Sequence, residues 1–338
     1  MICSNTRKPS SSKSDRLEIA AMDVPTGPRL AVPSPPPIPG ADVVAPAAEM
    51  AESPETRADV ERARARDGGA SGRAGRNLVH ATGVGVALAA LVLTTLFTRK
   101  VLFEAVVIAA MLVAVWEMRA ALAHRQFNVP IVPIGLGAIS MSFGAYSRGP
   151  EPLVMAFGLT VIAILLWRVA DGVAGAARDI AAGVLIAFYP CFLGGFAGLM
   201  LAEDDGQWRI VVFILVTVCS DMGGYIAGVF FGKHPMAPRV SPKKSWEGFA
   251  GSVLFCAVVG GASVAFMLGG SWIGGALLGC VVAACATVGD LMESSIKRDL
   301  GIKDMGDLLP GHGGLMDRLD SLLITAPIVW ASLLFLVP

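Results

Sequence analysis

From residue 78 onward the chain alternates long apolar stretches with short polar connections. Nine stretches stand out, at about 78–97, 101–123, 129–147, 152–170, 180–201, 208–231, 248–269, 271–289 and 321–338. A helix crossing about 30 Å of hydrocarbon needs roughly 20 residues, and each stretch comes near that length. The third is the weakest, because Pro130, Pro133 and several glycines interrupt it. Such breaks are tolerated in lipid only where protein or water covers the backbone. The pattern predicts an all-α integral membrane protein, with a polytopic bundle of about nine transmembrane helices over residues 77–338.

Composition strengthens this reading. The 338 residues are 54% hydrophobic and 16% charged, against about 25% charged in soluble domains. Formal net charge is zero, so no nucleic-acid partner is expected. Residues 1–76 differ from the rest. They are rich in Pro, Ala and Arg, contain the run PSPPPIPG at 33–40 and lack a long apolar stretch. Such a segment cannot bury enough apolar area to offset its ordering entropy. It is expected to be a disordered cytoplasmic tail, and it lacks the apolar core of a secretory signal. Of the six cysteines, five fall in apolar runs with no CxxC pair. They are expected to be small buried apolar residues rather than disulfides or a zinc site.

Orientation follows from the Lys/Arg bias of short loops. Arg73 and Arg76 precede the first stretch. Arg119 and Arg125 follow the second, Arg168 and Arg178 the fourth, Lys233, Arg239, Lys243 and Lys244 the sixth, and Lys297, Arg298, Lys303 and Arg318 the eighth. With nine crossings all of these share one side, which places the N-terminus and the two long basic loops in the cytoplasm and the C-terminus outside.

Those two loops, 220–252 and 289–321, carry the candidate chemistry. Asp221 lies inside an apolar stretch, where a carboxylate costs at least about 2.5 kcal/mol on insertion scales. It is expected to face a cavity, either in a metal or substrate role or tied to a lysine between helices. If the helix continues past Asp290, then Ser294 and Lys297 share its face. Carboxylate and hydroxyl together suit a hard cation such as Mg²⁺. Glu293 sits to one side of that stripe, in support of it or simply solvated. Asp317 and Asp320 share a face at the start of the last stretch, where helix capping alone could account for one of them. Lys243, Lys244, Lys297, Arg298, Lys303 and Arg318 surround these acids, fitting either anionic lipid headgroups or the phosphates of a metal-bound polyphosphate. Gly313 and Gly314 allow close backbone approach to an anion. Beside them His312 fits a base, a phosphate donor or a turn residue.

The second loop resembles the signature of the phosphatidate cytidylyltransferases. Ser294, Ile296, Lys297 and Arg298 are followed by Lys303 and Asp304, then by His312, Gly313, Gly314, Leu315, Asp317, Arg318, Leu319 and Asp320, all at the family's spacing. GKH at 232–234, SPKKSWEG at 241–248 and WE at 116–117 are similar to further family features. Ser245 stands where threonine is common, and Met222 where many members carry a hydroxyl residue.

The resemblance implies transfer of CMP from CTP to phosphatidic acid, with release of pyrophosphate. It implies a helical membrane bundle with a cytoplasm-facing polar cavity, a tendency to homodimerise, and contact with membrane lipids in what is expected to be a bacterial plasma membrane. It also implies a divalent metal, usually Mg²⁺, associated with Asp290 and Asp317, with K⁺ as a possible second cation. Combining both lines, Asp290, Asp317, Asp320 and Ser294 are expected to form the metal site with Asp221 nearby, and Lys244, Lys297 and Arg298 to grip phosphates. Lys243, Ser245, Lys303, Arg318, Gly313 and Gly314 are expected at the substrates, and His312 as a candidate for the chemistry. A CTP-dependent lipid-alcohol kinase, a cytidylyltransferase with another lipid acceptor and a transporter are the alternatives. The full loop signature weighs against the kinase, and the concentration of charge in two loops weighs against transport.

Overall fold

The computed structural model describes residues 71–238, 240–308 and 313–337, with side chains from Gly83 onward. The chain runs as α1 (Ser71–Thr98), α2 (Lys100–Ala123), α3 (Ile131–Arg148), α4 (Pro150–Asp171), α5 (Ala176–Ala202) and α6 (Gly206–Phe231). A hairpin of β1 (Pro235–Ala237) and β2 (Ser241–Ser245) follows, then α7 (Trp246–Met267), α8 (Trp272–Leu300) and α9 (Met316–Leu336). Among the described residues seven helices, α2 and α4 to α9, are long and apolar enough to cross a membrane. The chain is a helical membrane protein. The tail expected over 1–76 lies outside the described residues up to residue 70, and residues 71–76 already belong to α1.

Three local features depart from the sequence reading. The prolines near the third stretch do not break it. Pro130 precedes α3 and Pro133 sits in its first turn, where a backbone N–H has no intrahelical acceptor to lose. Deeper in a helix the same residue does perturb the ladder. Pro190 lies within a π-helical stretch of α5, Ala187–Phe192, whose wider turn accommodates the missing donor. Finally, α8 runs eleven residues beyond the apolar stretch that predicted it, ending at Gly301 in the left-handed region (φ 72°). There Gly301 N–H bonds to Arg298 O and Ile302 N–H to Lys297 O, the paired bonds of a Schellman stop.

Small residues bring α6, α7 and α8 together. A Cβ on Gly251 would stand 2.7 Å from Gly223 O, one on Gly260 would stand 2.5 Å from Gly275 O, and one on Gly279 would collide with Cys256 O. Without water to drive association, such close backbone packing is what holds membrane helices together. Gly279→Val should therefore force α7 and α8 apart at a cost of about 1–3 kcal/mol, read as a lower melting temperature in detergent. An unchanged melting temperature would show that this crossing does not hold the bundle.

Contacts between connections order the two ends of the bundle. Arg125 donates to the carbonyls of Asp299 (2.9 Å) and Leu300 (3.3 Å), and Arg178 donates to Gln126 O at 2.5 Å. The connection after α2 thus meets the start of α5 and the end of α8 at one end of the bundle. Lys100 bonds to Glu203 O at the other. Arg168 is buried against Asp179 at 2.9 Å, and Asp179 also accepts from Asn128 N at 3.1 Å. The pairing offsets the cost of dehydrating both charges. Cys191 and Cys256 are buried and Cys219, Cys280 and Cys285 half-buried, all as free thiols. Cys3 lies outside the described residues.

Candidate active site

At the end of the bundle that carries the hairpin, the C-terminal part of α6, strand β2, the first turns of α7, the polar half of α8 and the start of α9 enclose a cavity of about 510 Å³. Its wall carries five carboxylates, Asp221, Asp290, Glu293, Asp317 and Asp320, and four cationic side chains, Lys243, Lys244, Lys297 and Arg318. Ser245, Ser294 and Ser321 add hydroxyls. A charged set of this size inside an apolar bundle is expensive unless the charges meet each other or a ligand.

The continuation of α8 as a helix is what builds the wall. Asp290, Glu293, Ser294 and Lys297 project from consecutive turns. Lys244 pairs with Asp290 from across the cavity, and Ser321 of α9 donates to the same carboxylate. A Cβ on Gly289 would stand 2.9 Å from Asp320 O, so the glycine lets α9 approach closely enough for Asp290 and Asp320 to share a wall. Tyr189, presented by the π-helical part of α5, supports α9 from behind with a long bond from its hydroxyl to Asp320 O (3.5 Å). Strand β2 delivers Lys243 and Lys244, and Ser245 ends it by accepting from Gly248 N at 3.1 Å as the cap of α7. At the base of the hairpin, Glu247 accepts from His234 Nδ1 at 2.5 Å and from Lys233 N at 3.1 Å.

Lys297 is the hub of the acidic side. Its ammonium donates to Glu293 at 2.8 Å and to Asp317 at 2.9 Å. The two oxygens of Asp317 also accept from Met305 N (3.2 and 3.0 Å) and Gly314 N (2.8 Å). Asp317 therefore spends its lone pairs on Lys297 and the loop before α9. Glu293 is 1% exposed. Its Oε1 is buried with no hydrogen-bond partner, and Asp320 stands on the same cavity wall. Two carboxylates close together in such a wall favour a proton or a cation between them.

Against the sequence expectations, the cavity brings together Asp221, Lys243, Lys244, Ser245, Asp290 and Ser294 with Lys297, Asp317, Arg318 and Asp320. Arg298 and Lys303 are exposed and stand off its wall. Gly313, with φ at 80°, and Gly314 lie behind Asp317 rather than on the cavity. His312 lies outside the described residues. Among the described residues no three His, Cys, Asp or Glu side chains converge as a preformed metal cage. The sequence reading left Glu293 between a supporting and a solvated role and did not name Ser321, and both line the wall. Glu293 carried a legible signal, four residues before Lys297 on a helix.

The family model described as the cytidylyltransferase family matches residues 79–336. The chain belongs to the cytidylyltransferase family. It is a nucleotidyltransferase, and its relatives agree. It is 40% identical to the phosphatidate cytidylyltransferase of Mycobacterium leprae (strain TN) over 285 residues, covering 78% of this chain and 90% of that protein. The phosphatidate cytidylyltransferase of Mycobacterium bovis (strain ATCC BAA-935 / AF2122/97) is 38% identical over 279 residues, with the same coverage of 78% and 90%. That of Helicobacter pylori (strain ATCC 700392 / 26695) is 40% identical over 144 residues, 43% of this chain and 54% of its own. The family match begins within α1 and ends at the last residue of α9, so it takes in every element that walls the cavity.

Proposed function

We propose that this cytidylyltransferase joins CTP and phosphatidic acid at the cavity, forming CDP-diacylglycerol and pyrophosphate. A phosphatidate oxygen forms the new bond to the α-phosphorus of CTP, the bond from that phosphorus to the bridging oxygen breaks, and pyrophosphate leaves with the electron pair. The attacking oxygen is already anionic, so no strong base is required. What the reaction needs is a place where two polyanions meet without repelling each other.

The observation that carries the reading is the wall itself, where Lys243, Lys244, Lys297 and Arg318 face a bank of carboxylates within one cavity. The relatives' name, phosphatidate cytidylyltransferase, supports phosphatidate as the acceptor and a cytidylyl group as what is transferred. Lys244 and Lys297 hold phosphate oxygens once they exchange their carboxylate partners for substrate, and Arg318 offers a planar fork suited to the same oxygens. Arg298 and Lys303, off the wall, meet the headgroup layer. Asp290 and Asp320 would hold Mg²⁺, with Ser294 beside them. The unpartnered, buried Oε1 of Glu293, on the same wall as Asp320, fits a hard cation in that corner, and K⁺ could share it. Charge neutralisation at the α-phosphate and the leaving pyrophosphate is the chemistry a bound Mg²⁺ supplies. Asp317 orients Lys297 and the loop. The cavity faces the cytoplasm, where CTP is, in a bacterial plasma membrane that keeps the lipid substrate at the interface, and the enzyme works as a homodimer.

Purified protein in liposomes with Mg²⁺, phosphatidic acid and labelled CTP should release pyrophosphate one-for-one with a CMP-bearing lipid, and a chelator should stop it. Release of CDP with a phosphorylated lipid alcohol would instead establish the kinase reading. Silence with both acceptors from folded protein would reject both.

A further inference from the structure

Glu117 is the most deeply buried acid outside the cavity wall, at 0% exposure near the end of α2. Its carboxylate accepts from backbone. Oε1 accepts from Leu315 N at 2.9 Å and Oε2 from Met316 N at 2.8 Å. These amides open α9, whose own N-cap residue supplies no side-chain bond. A negative group at a helix N-terminus satisfies otherwise orphaned donors and meets the positive end of the dipole. Here the cap comes from 198 and 199 residues upstream.

The fit around the carboxylate is close. A Cβ on Gly306 would stand 2.6 Å from Oε1, and one on Gly314 would stand 2.8 Å from Oε2. Met316 beside it is fully buried. Asp317, one residue further, takes the amides of Met305 and Gly314. Two carboxylates thus grip four backbone N–H groups, three in the loop between α8 and α9 and one at the first residue of α9. Only Asp317 reaches the cavity.

We infer that Glu117 is a positioning residue for the reaction, holding the first turn of α9 so that Asp317, Arg318 and Asp320 project into the cavity at the angle their substrates require. The inference rests on the cavity being the site of nucleotidyl transfer. Glutamine at this position keeps the volume but turns an N–H₂ group toward one of the two amides, which then lacks an acceptor. The first turn of α9 loosens while the apolar packing of α2 remains.

The test is Glu117→Gln with two readouts. Hydrogen exchange of a peptide spanning residues 313–318 should quicken, with the other helices unchanged. The kcat for nucleotidyl transfer should fall about 10–100-fold, as for other residues that orient a reactive group from behind, with KM for CTP moving much less. Glu117→Asp, which keeps the charge on a shorter arm, should recover part of the rate. Gly306→Ala should reproduce the kcat loss by pressing a methyl against the carboxylate, without altering any charge. Unchanged kcat in both Glu117→Gln and Gly306→Ala would overturn the inference. So would a rate loss that tracks faster exchange throughout the bundle, since that marks a purely structural role. If the unsubstituted protein turns over neither substrate, the proposed reaction fails, and the exchange readout alone then decides whether Glu117 holds α9.

Discussion

Asp290→Asn should lower turnover about a hundred- to a thousandfold, the size of effect seen when a preorganised charge is removed from a reacting site. Asparagine fills the same space between Lys244 and Ser321, and it can still accept from the serine. What it removes is the negative charge that balances the Lys244 ammonium in the resting cavity and that would seat the cation during reaction. Folding should survive, because Asp290 is part-exposed to the cavity, 24% by side chain, rather than sealed in the apolar core. Initial rates measured beside a melting curve separate the two effects. A variant retaining a tenth or more of the rate would remove Asp290 from the mechanism.

Lys297→Met should lose both activity and stability. The side chains of its two partners are 2% and 7% exposed, so removing the ammonium leaves Glu293 and Asp317 facing each other with little water. Breaking a buried pair by removing one partner costs about 3–5 kcal/mol. The open cavity admits some solvent, which favours the lower end. The stability loss should read out as an earlier unfolding midpoint in denaturant. Adding Glu293→Gln should restore part of the stability by removing one stranded charge, and should restore no turnover, because the ammonium proposed to hold phosphate is still missing. Such non-additivity is expected of residues in direct contact. A Lys297→Met protein as stable as the parent would show that the pair is screened by solvent and holds nothing together.

The helices were legible because lipid demands long apolar runs, and each of the nine stretches overlaps a helix among the described residues, seven of them long and apolar enough to cross a membrane. The errors fall where a helix leaves the hydrocarbon or meets a cavity. The polar half of α8, from Asp290 to Leu300, is invisible to hydropathy because its side chains face the cavity rather than lipid. The same helical periodicity that aligned Asp290, Ser294 and Lys297 set Glu293 aside, yet the wall is broad enough to include it and Lys297 reaches back to grip it. The hairpin had no sequence signal, since β1 is the three residues Pro235–Ala237. Asp317 was read as a metal ligand or a helix cap; its bonds to Lys297 and to the amides of Met305 and Gly314 come from how the loop folds back, which no local pattern names. Glu117 could be noticed as part of WE, but its partners are set by how two distant helices meet, and no local pattern encodes that.

The long reach of Glu117 also sets a clock. A ribosome adds about 5–20 residues per second, so the 199 residues separating Glu117 from Met316 take roughly 10–40 s to make at that pace. Through that interval α2 is already in the bilayer with its carboxylate waiting for amides that do not yet exist. The cavity wall cannot be completed until α9 emerges and sets its first turn onto the waiting acid. A nascent chain that stops short of α9 therefore lacks Asp317, Arg318 and Asp320 from the wall, and the site exists only once α9 has been inserted.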